Sequence, residues 1–310
     1  MYTKIPILGI DRLEWLRLRR NGIGGSDAAA VCGLNPYSSA MKVFHDKTST
    51  DITDEDNEAM RQGRDLEDYV AQRFTEATGI KVRKSHYMYR STKYPFMLAD
   101  IDRFLVGHDA GLECKTASAF NADQWEDDKI PIHYYIQCQH YMAVTGKKVW
   151  YIAVLIMGKE FKYQKIERDE ELIQGLILLE SHFWKEYVLP RRMPDPDGSK
   201  VCNEILTEHY KHTKKDSKIP LIGFDEKINR RNELDDLIKK MEKEKNEIDQ
   251  TLKLYMGEHE IAENDRYRIS WKSVDSERLD TNLLKTEKPE IYKEYLKVSS
   301  TRRFTVKTAA

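Results

Sequence analysis

The chain has 310 residues, of which 40% are hydrophobic and 33% charged, and its formal net charge at pH 7 is −1. This composition supports a buried core in one large or two modest domains, and no apolar run approaches the ~20 residues that a membrane-spanning helix needs. The near-zero net charge argues against a protein that coats nucleic acid non-specifically, but it is compatible with a local basic channel beside an acidic site.

The N-terminus and the cysteines both favour a cytoplasmic protein. The first 15 residues lack the long apolar core and the cleavage site of a signal peptide. The four cysteines are widely scattered and include no C-x-x-C pair, which disfavours a zinc ribbon or an iron–sulfur cluster. We therefore interpret Cys32, Cys114, Cys138 and Cys202 as reduced thiols.

The first 80 residues predict three helices and a glycine-rich turn. A helix is expected over 11–21, followed by the turn GIGGSD (22–27), where backbone can approach a ligand closely. Ser26 or Asp27 is positioned to cap the next helix, and N–H groups at a helix start suit phosphate, although a lone glycine-rich loop is a weak signal. In the third helix, over 57–78, Glu67 lies beside the apolar stripe. It is either a boundary salt-bridge residue or, if a metal site is near, a residue that faces the sheet.

Residues 80–116 alternate like three antiparallel strands, over 80–90, 96–106 and 111–116. Basic residues interleave with tyrosines along the first of them. They either line a basic channel or form the solvated face of an exposed strand pair, and the pattern does not choose between these. The residues are Lys81, Arg83, Lys84, His86, Arg90 and Lys93, with Tyr87, Tyr89 and Tyr94.

The most informative segment is Glu113-Cys114-Lys115, read together with Asp102. In a strand, residues two apart share a face, so Glu113 and Lys115 point one way and Cys114 the other. The turn-rich GHDAG segment folds this strand back beside the one that carries Asp102. Two carboxylates and a lysine then meet on one face, a set that suits Mg²⁺ and the hydrolysis of a phosphodiester. A lone E-x-K is usually a solvated ion pair, and Asp100, two residues before Asp102, is a further candidate carboxylate.

Alternating helix and strand patterns continue to residue 187. A helix is predicted over 131–145, and Gln139 falls within its apolar stripe, so that it either bonds backbone structurally or faces a site. The apolar run 149–156 predicts a strand covered on both sides, which turns at Gly158-Lys159 into a second strand. An amphipathic helix follows over 169–187.

The last third of the chain has a different character. The Pro-rich segment 191–200 marks a boundary, and a long polar helix over 225–257 has apolar residues at coiled-coil-like spacing. Strands are predicted over 267–274 and 301–307. We therefore expect a nuclease-like core over 1–190, a linker over 191–224, and a helical or hairpin extension with a small β part over 225–310.

Several motifs, in this order along the chain, resemble the YqaJ-type viral recombinase family, relatives of phage lambda exonuclease. The resemblance covers about residues 10–190 and implies an α/β (α+β) fold, a restriction-endonuclease-like core with a central mixed β-sheet flanked by helices. The matching segments are Trp15-x-x-x-Arg19, GIGGSDAAAVCGLNPY (22–37), GRDLEDYVAQRF (63–74), DIDRFLVG (100–107), GLECKT (111–116) and YIQCQHYMAVTG (135–146).

The resemblance implies a role for each matching position. Asp102 and Glu113 are the expected central metal ligands, with Glu67 and the backbone carbonyl of Cys114 completing the site. Lys115 is the expected catalytic lysine, and Gln139 the glutamine that orients the site, with Gln137 a weaker candidate. Arg19 and Ser26 are expected to hold a terminal 5′-phosphate.

The implied activity is a Mg²⁺-dependent 5′→3′ exonuclease on linear double-stranded DNA, with two metal ions and Mn²⁺ as a candidate substitute. Its product is a 3′ single-stranded overhang for a single-strand annealing protein, in a bacterial host cell or from a phage or prophage. The family also implies a homo-oligomer, a ring-shaped trimer, and no membrane. A structure- or site-specific endonuclease and a non-catalytic DNA-binding module are the alternatives, and the complete set of site residues argues against the second.

Overall fold

The computed structural model describes residues 2–52, 56–215, 217–297 and 301–307. The chain divides into two compact units, residues 1–210 and 211–310, and the division falls inside the segment 191–224 that the sequence marks as a boundary. None of the described helices is long and apolar enough to cross a membrane.

The elements alternate along the chain and concentrate strands in the first unit. The helices are α1 (Arg12–Arg19), α2 (Gly25–Val31), α3 (Ala40–Thr48), α4 (Glu58–Thr78), α5 (Ile132–Thr145), α6 (Glu170–Phe183), α7 (Lys200–His209), α8 (Asp225–Met256), α9 (Thr281–Glu287) and α10 (Pro289–Glu294). The strands are β1 (Tyr2–Pro6), β2 (Val82–Lys84), β3 (Tyr87–Ser91), β4 (Leu98–Asp100), β5 (Arg103–Leu105), β6 (Ala110–Ala117), β7 (Val149–Ile156), β8 (Glu160–Glu167), β9 (Ile261–Glu263) and β10 (Arg268–Ser270).

A mixed five-stranded sheet forms the centre of the first unit, in the order β2-β5-β6-β7-β8. Only β6 and β7 run parallel, and helix α5 makes the crossover between them. Strand β7 reads VWYIAVLI because both of its faces are covered, as the continuous apolar run predicts. This mixed sheet flanked by helices is the architecture that the sequence predicts.

Helices cover the two faces of this sheet and divide its core. On one face α4 buries Val70 and Phe74 against Leu112 of β6. On the other face α5 packs against β7, with Met142 and Trp150 in the larger core cluster. The stripe that the pattern predicts for the helix over 57–78 is Leu66, Tyr69, Val70 and Phe74. It is confirmed for Val70 and Phe74, whereas Leu66 is half-buried and Tyr69 is exposed.

Two of the long predicted strands are each broken in two, which corrects the sequence prediction. Residues 80–90 give β2 in the five-stranded sheet and β3 in a second sheet, and residues 96–106 give β4 and β5 in the same way. The second sheet has the order β1-β3-β4, and its edge strand β1 was not predicted. Because β4 ends at Asp100 and β5 begins at Arg103, Asp102 lies at the break where the chain passes from one sheet to the other.

The second unit contains α8, a β9–β10 hairpin and two short helices. Helix α8 is a single 32-residue helix, so the predicted boundaries are confirmed, and the helical hairpin considered for it does not form. The strand predicted over 267–274 shortens to β10, and residues 301–307, also predicted as a strand, form no regular element.

Candidate active site

Asp102 and Glu113 lie opposite each other where β5 meets β6. β5 pairs antiparallel with β6 through Arg103↔Leu112, and continuing that register by one position sets Asp102 against Glu113. The intervening turn includes Gly107 in the left-handed region, with φ of 77°. The N–H of Cys114 donates to Asp102 Oδ2 at 2.7 Å and fixes that carboxylate. The predicted return of the strand is therefore confirmed.

A hydrogen-bonded network joins Glu113 to Lys115 and to helix α5. Glu113 Oε1 accepts from Lys115 Nζ at 2.7 Å and from Gln137 Nε2 at 2.7 Å. Lys115 Nζ also donates to Gln137 Oε1 at 3.2 Å, and Gln137 Nε2 donates to Tyr141 Oη at 2.9 Å. Lys115 Nζ lies 4.6 Å from the centre of the Tyr134 ring. The predicted alternation of β6 is thus confirmed, with Glu113 and Lys115 facing α5 and Leu112 and Cys114 facing α4.

The electrostatics of this network follow from its burial. Burial, together with the charges of Glu113 and Glu67, raises the pKa of Asp102 well above its usual range. Burial also raises the pKa of Glu113, although Lys115 opposes the shift. Burial alone would lower the pKa of Lys115, but contact with the Glu113 carboxylate raises it, so Lys115 is a cation at neutral pH. Asp102 and Glu113 therefore ionise less readily than carboxyl groups in water, and a cation bound between them would favour their charged forms.

The donor set fits a hard divalent cation. Glu113 is 2% exposed, and its Oε2 is a buried oxygen with no hydrogen-bond partner. Among the described residues, no group of three or more His, Cys, Asp and Glu side chains could hold a metal ion by itself. A pair of carboxylates is nevertheless the usual protein share of a Mg²⁺ site, which draws further oxygens from water and substrate phosphate. Asp102 and Glu113 are the two carboxylates here that could form such a pair.

Glu67 reaches this region from helix α4 but is engaged elsewhere. Its Oε1 accepts from Arg103 Nη1, and Lys84 Nζ lies 3.7 Å away. Arg103 also donates to Asp68 and to the carbonyl of Asp102, so it ties α4 to the strand break. The salt-bridge interpretation of Glu67 describes this arrangement, while its charge still acts on Asp102.

The assignment of Gln139 to the site is wrong, and Gln137 takes its place. Gln139 is fully buried, its Nε2 donates to the carbonyl of Glu167 at 2.8 Å, and its Oε1 accepts from the N–H of Asp169 at 3.0 Å. Residues two apart on a helix point about 200° apart, so both glutamines cannot face one site. Gln139 bonds the backbone where β8 connects to α6. This is the structural one of the two alternatives that its place in the apolar stripe left open.

Arg19 and Ser26 come together as predicted. Arg19 Nη2 donates to Ser26 Oγ at 2.8 Å, and its guanidinium lies 4.9 Å from the centre of the Trp15 ring. Trp15 Nε1 in turn donates to Asp100 Oδ2 at 2.7 Å. A cavity of about 170 Å³ joins this group to Asp102, Glu113 and Gln137. Asp100 therefore lines the same cavity as the two central carboxylates.

A larger cleft of about 770 Å³ opens beside this cavity and is shared by Arg19, Ser26, Glu113 and Lys115. Arg12, Arg64, Tyr37 and His133 also line it, and none of these was singled out from the sequence. The basic residues of 81–93 line neither cavity. Their strands lie in two different sheets, so the two cavities lend no support to the channel interpretation, and both interpretations of that segment stay predictions. Arg64 lies within the matching segment 63–74 but had no role assigned to it, and Arg12 lies outside the matching segments.

Three comparisons show which known proteins this chain is similar to. Residues 14–148 match the model of the YqaJ-like viral recombinase domain. The chain is 38% identical over 302 residues to the uncharacterised protein YqaJ of Bacillus subtilis (strain 168), covering 96% of this chain and 95% of that one.

Among solved structures, an alkaline exonuclease from Laribacter hongkongensis has a TM-score of 0.49 and 22% identity, covering 56% of this chain and 91% of that one. A phage-related exonuclease from Haemophilus somnus has a TM-score of 0.42 and 15% identity, covering 57% of this chain and 99% of that one.

Proposed function

The chain belongs to the family of YqaJ-like viral recombinase domains, and from this membership we propose that it is a metal-dependent deoxyribonuclease. The observation that carries the proposal is the set of buried Glu113 and half-buried Asp102 and Lys115, which opens into a cleft of about 770 Å³. Carboxylates that bind a hard cation beside a lysine that meets phosphate are the elements that phosphodiester hydrolysis requires.

Each residue has a distinct part in this proposal. Asp102 and Glu113 would hold Mg²⁺, two ions in the full site, with Mn²⁺ as a candidate substitute and the Cys114 carbonyl as a further ligand. When bound, the metal supplies activation of water and stabilisation of the leaving oxygen. Lys115, a half-buried cation, would donate to the phosphate or to the attacking water. Gln137 keeps Lys115 and Glu113 in register because it bonds to both.

We further propose that the enzyme is an exonuclease that degrades linear double-stranded DNA from the 5′ end. Arg19 and Ser26 share a cavity with the carboxylate pair, and a guanidinium with a hydroxyl group is a strong combination for a terminal phosphate. Cleavage from that end leaves a 3′ single-stranded overhang, the substrate of a single-strand annealing partner. A ring-shaped trimer that encloses the duplex, working in the cytoplasm of a bacterial host, completes the proposal.

The decisive experiment compares linear duplex DNA, with and without a 5′-phosphate, with a covalently closed circle. We expect degradation of the linear DNA alone in Mg²⁺, faster with the phosphate, and no degradation in EDTA. Cleavage of the circle would indicate that the same active site acts as an endonuclease, and it would contradict the proposed recognition of a DNA end. Absence of cleavage of every substrate in Mg²⁺ and in Mn²⁺ would favour the non-catalytic DNA-binding module.

Replacing the lysine tests the site itself. Lys115→Met is expected to reduce the rate of cleavage by about 10²–10³-fold, the usual loss when one charge-stabilising donor is removed from an active site. Binding of DNA in EDTA should persist. Lys165→Met, on the exposed strand β8 where Lys165 pairs with Glu167, is the matched control and should retain full activity. A Lys115→Met enzyme with the wild-type rate would exclude Lys115 from the chemistry.

A further inference from the structure

A second group of charges lies directly behind the Arg19–Ser26 pair and is not part of the site described above. Asp27 is at its centre. Asp27 Oδ2 accepts from Lys47 Nζ at 2.7 Å and from the N–H of Gly24 at 3.0 Å, while Asp27 Oδ1 accepts from Arg19 Nη2 at 3.3 Å. Lys47 Nζ also donates to the backbone carbonyl of Arg19 at 3.0 Å. Lys47, on helix α3, therefore joins the end of α1 to the start of α2.

The Lys47–Asp27 pair at the centre of this group is mostly buried, although lysine and aspartate are rarely found inside a protein. The side chain of Lys47 is 4% exposed and that of Asp27 is 16% exposed. Removing charges from water is costly, and a buried pair offsets the cost only when its geometry is close and its remaining groups are bonded. Here the two oxygens of Asp27 accept three donors between them. Arg19, Asp27 and Lys47, from three helices, are thus held in one arrangement at the mouth of the cavity.

The charges of the group also decide what Arg19 can offer to a ligand. Asp27 alone would neutralise the guanidinium that it contacts, and Asp100 is a second carboxylate whose charge acts on Arg19. A phosphate dianion approaching Arg19 would then meet little net positive charge. Lys47 offsets the charge of Asp27, while Asp100 acts on Arg19 with or without Lys47. With Lys47 present, Asp27 therefore orients Arg19 with less loss of its attraction for an anion.

We propose that Asp27 and Lys47 are positioning residues that set the orientation and the effective charge of Arg19, and so determine the preference of the enzyme for a 5′-phosphorylated DNA end. The inference rests on the proposed function, in which Arg19 and Ser26 receive the terminal phosphate. It adds that this specificity depends on a lysine in helix α3 that does not itself line the cavity.

The test measures DNA binding in the absence of metal, so that cleavage of the DNA does not affect the result. A DNA hairpin with one open end is prepared with a 5′-phosphate or with a 5′-hydroxyl, and the Kd of each is measured by fluorescence anisotropy in EDTA. We expect wild-type protein to prefer the phosphorylated hairpin, and Lys47→Met to reduce that preference by about tenfold or more, because small misplacements of a binding group carry losses of this size. Lys47→Arg, which keeps the charge, should restore part of the preference.

Lys42→Met is the matched control, since Lys42 lies on the same helix and pairs with Asp46 at 3.1 Å. It should leave the preference unchanged. If Lys47→Met does not fold, as judged by its thermal unfolding, Lys47→Gln makes the same test because its amide can still donate to Asp27 while lacking the charge.

A double-mutant cycle separates positioning from a merely structural role. In an Arg19→Ala background, Lys47→Met should have no further effect on the preference, because Lys47 acts through Arg19. Equal weakening of both hairpins by Lys47→Met, or an unchanged preference, would overturn the proposal. Absence of any preference in the wild-type protein would also overturn it, whereas the proposed nuclease activity would be judged separately by the cleavage of linear DNA.

Discussion

At the scale of single residues, two glutamines on helix α5 show how a site and a core share one element. Gln137 bonds Glu113, Lys115 and Tyr141, while Gln139 bonds two backbone groups at the β8–α6 connection. Both are buried, and both stand where an apolar residue would otherwise pack. Their burial is therefore no guide to function, and only the identity of their partners separates them.

Substituting each glutamine should separate the two roles. Gln137→Ala is expected to reduce cleavage strongly, because Lys115 and Glu113 lose the side chain that links them. Gln139→Ala is expected to lower the free energy of unfolding by about 1–3 kcal/mol for each buried backbone group left without a partner. The measurements are initial rates on linear DNA and thermal unfolding of both variants, with Gln174→Ala on the exposed side of α6 as the control.

An inactive but fully stable Gln139→Ala protein would reverse the assignment. So would a Gln137→Ala protein with wild-type activity.

The sequence best predicts the positions of residues that belong to a local pattern, such as strand alternation or a turn. Alternation in β6 is sufficient to set Glu113 and Lys115 on one face, and the GHDAG turn is sufficient to return the chain to Asp102. Lys47 has no such pattern, because its partner Asp27 is 20 residues away on another helix. The helix period alone does not say whether Gln137 or Gln139 faces the site. That depends on which face of the helix lies against the sheet. The sequence therefore predicts the carboxylates and the lysine, but not the groups that hold them.

At the scale of elements, the break between β4 and β5 decides the position of Asp102. An alternating sequence predicts a continuous strand from 96 to 106, and nothing in that alternation marks the crossing between sheets. The crossing depends on long-range partners: β4 pairs with β3, and β5 pairs with β6. Strand pairing of this kind is set by tertiary packing rather than by local propensity. This is why strand existence was predicted well and strand continuity was not.

Strand β6 also carries a packing constraint that can be measured. A Cβ added at Gly111 would lie 2.4 Å from the ring of Trp150, which is fully buried on the neighbouring strand β7. Gly111→Ala should therefore force a shift in the core and lower the free energy of unfolding by about 1–3 kcal/mol.

Gly175→Ala is the matched control, because no atom lies within 4 Å of the added Cβ in helix α6. Alanine in a helix interior is more favourable than glycine by about 0.5–1 kcal/mol. Chemical denaturation of both variants should show opposite signs. A Gly111→Ala protein as stable as wild type would mean that Trp150 is less tightly held than its burial indicates.

At the scale of the whole molecule, the two units differ in how far they bury their apolar side chains. The hydrophobic clusters of the first unit draw their residues from Tyr2 to Met193. In the second unit, many apolar residues of α8 are exposed, including Leu234, Ile238, Met241 and Ile248. The match to the Bacillus subtilis protein nevertheless covers 96% of this chain, so the second unit is shared with that relative and is not an addition peculiar to this chain.

The C-terminal end of the first unit can be tested directly, because the sequence and the structure place it at different residues. The change of composition at 191–200 ends the predicted core at residue 190, whereas the compact unit extends to residue 210. The difference is helix α7, which packs against α3 and buries Cys202. Helix α3 carries Lys47, so α7 supports the element that reaches the Arg19–Ser26 pair.

We expect a fragment of residues 1–210 to unfold cooperatively, since its hydrophobic clusters are complete. A fragment of residues 1–190 should unfold at a lower temperature and should lose the preference for 5′-phosphorylated DNA, because α3 would lack one of its packing partners. Thermal unfolding followed by circular dichroism and anisotropy with the two DNA hairpins would compare the fragments. Equal stability and equal preference would mean that the functional core ends at residue 190. Failure of the 1–210 fragment to fold would mean that residues 211–310 complete the core.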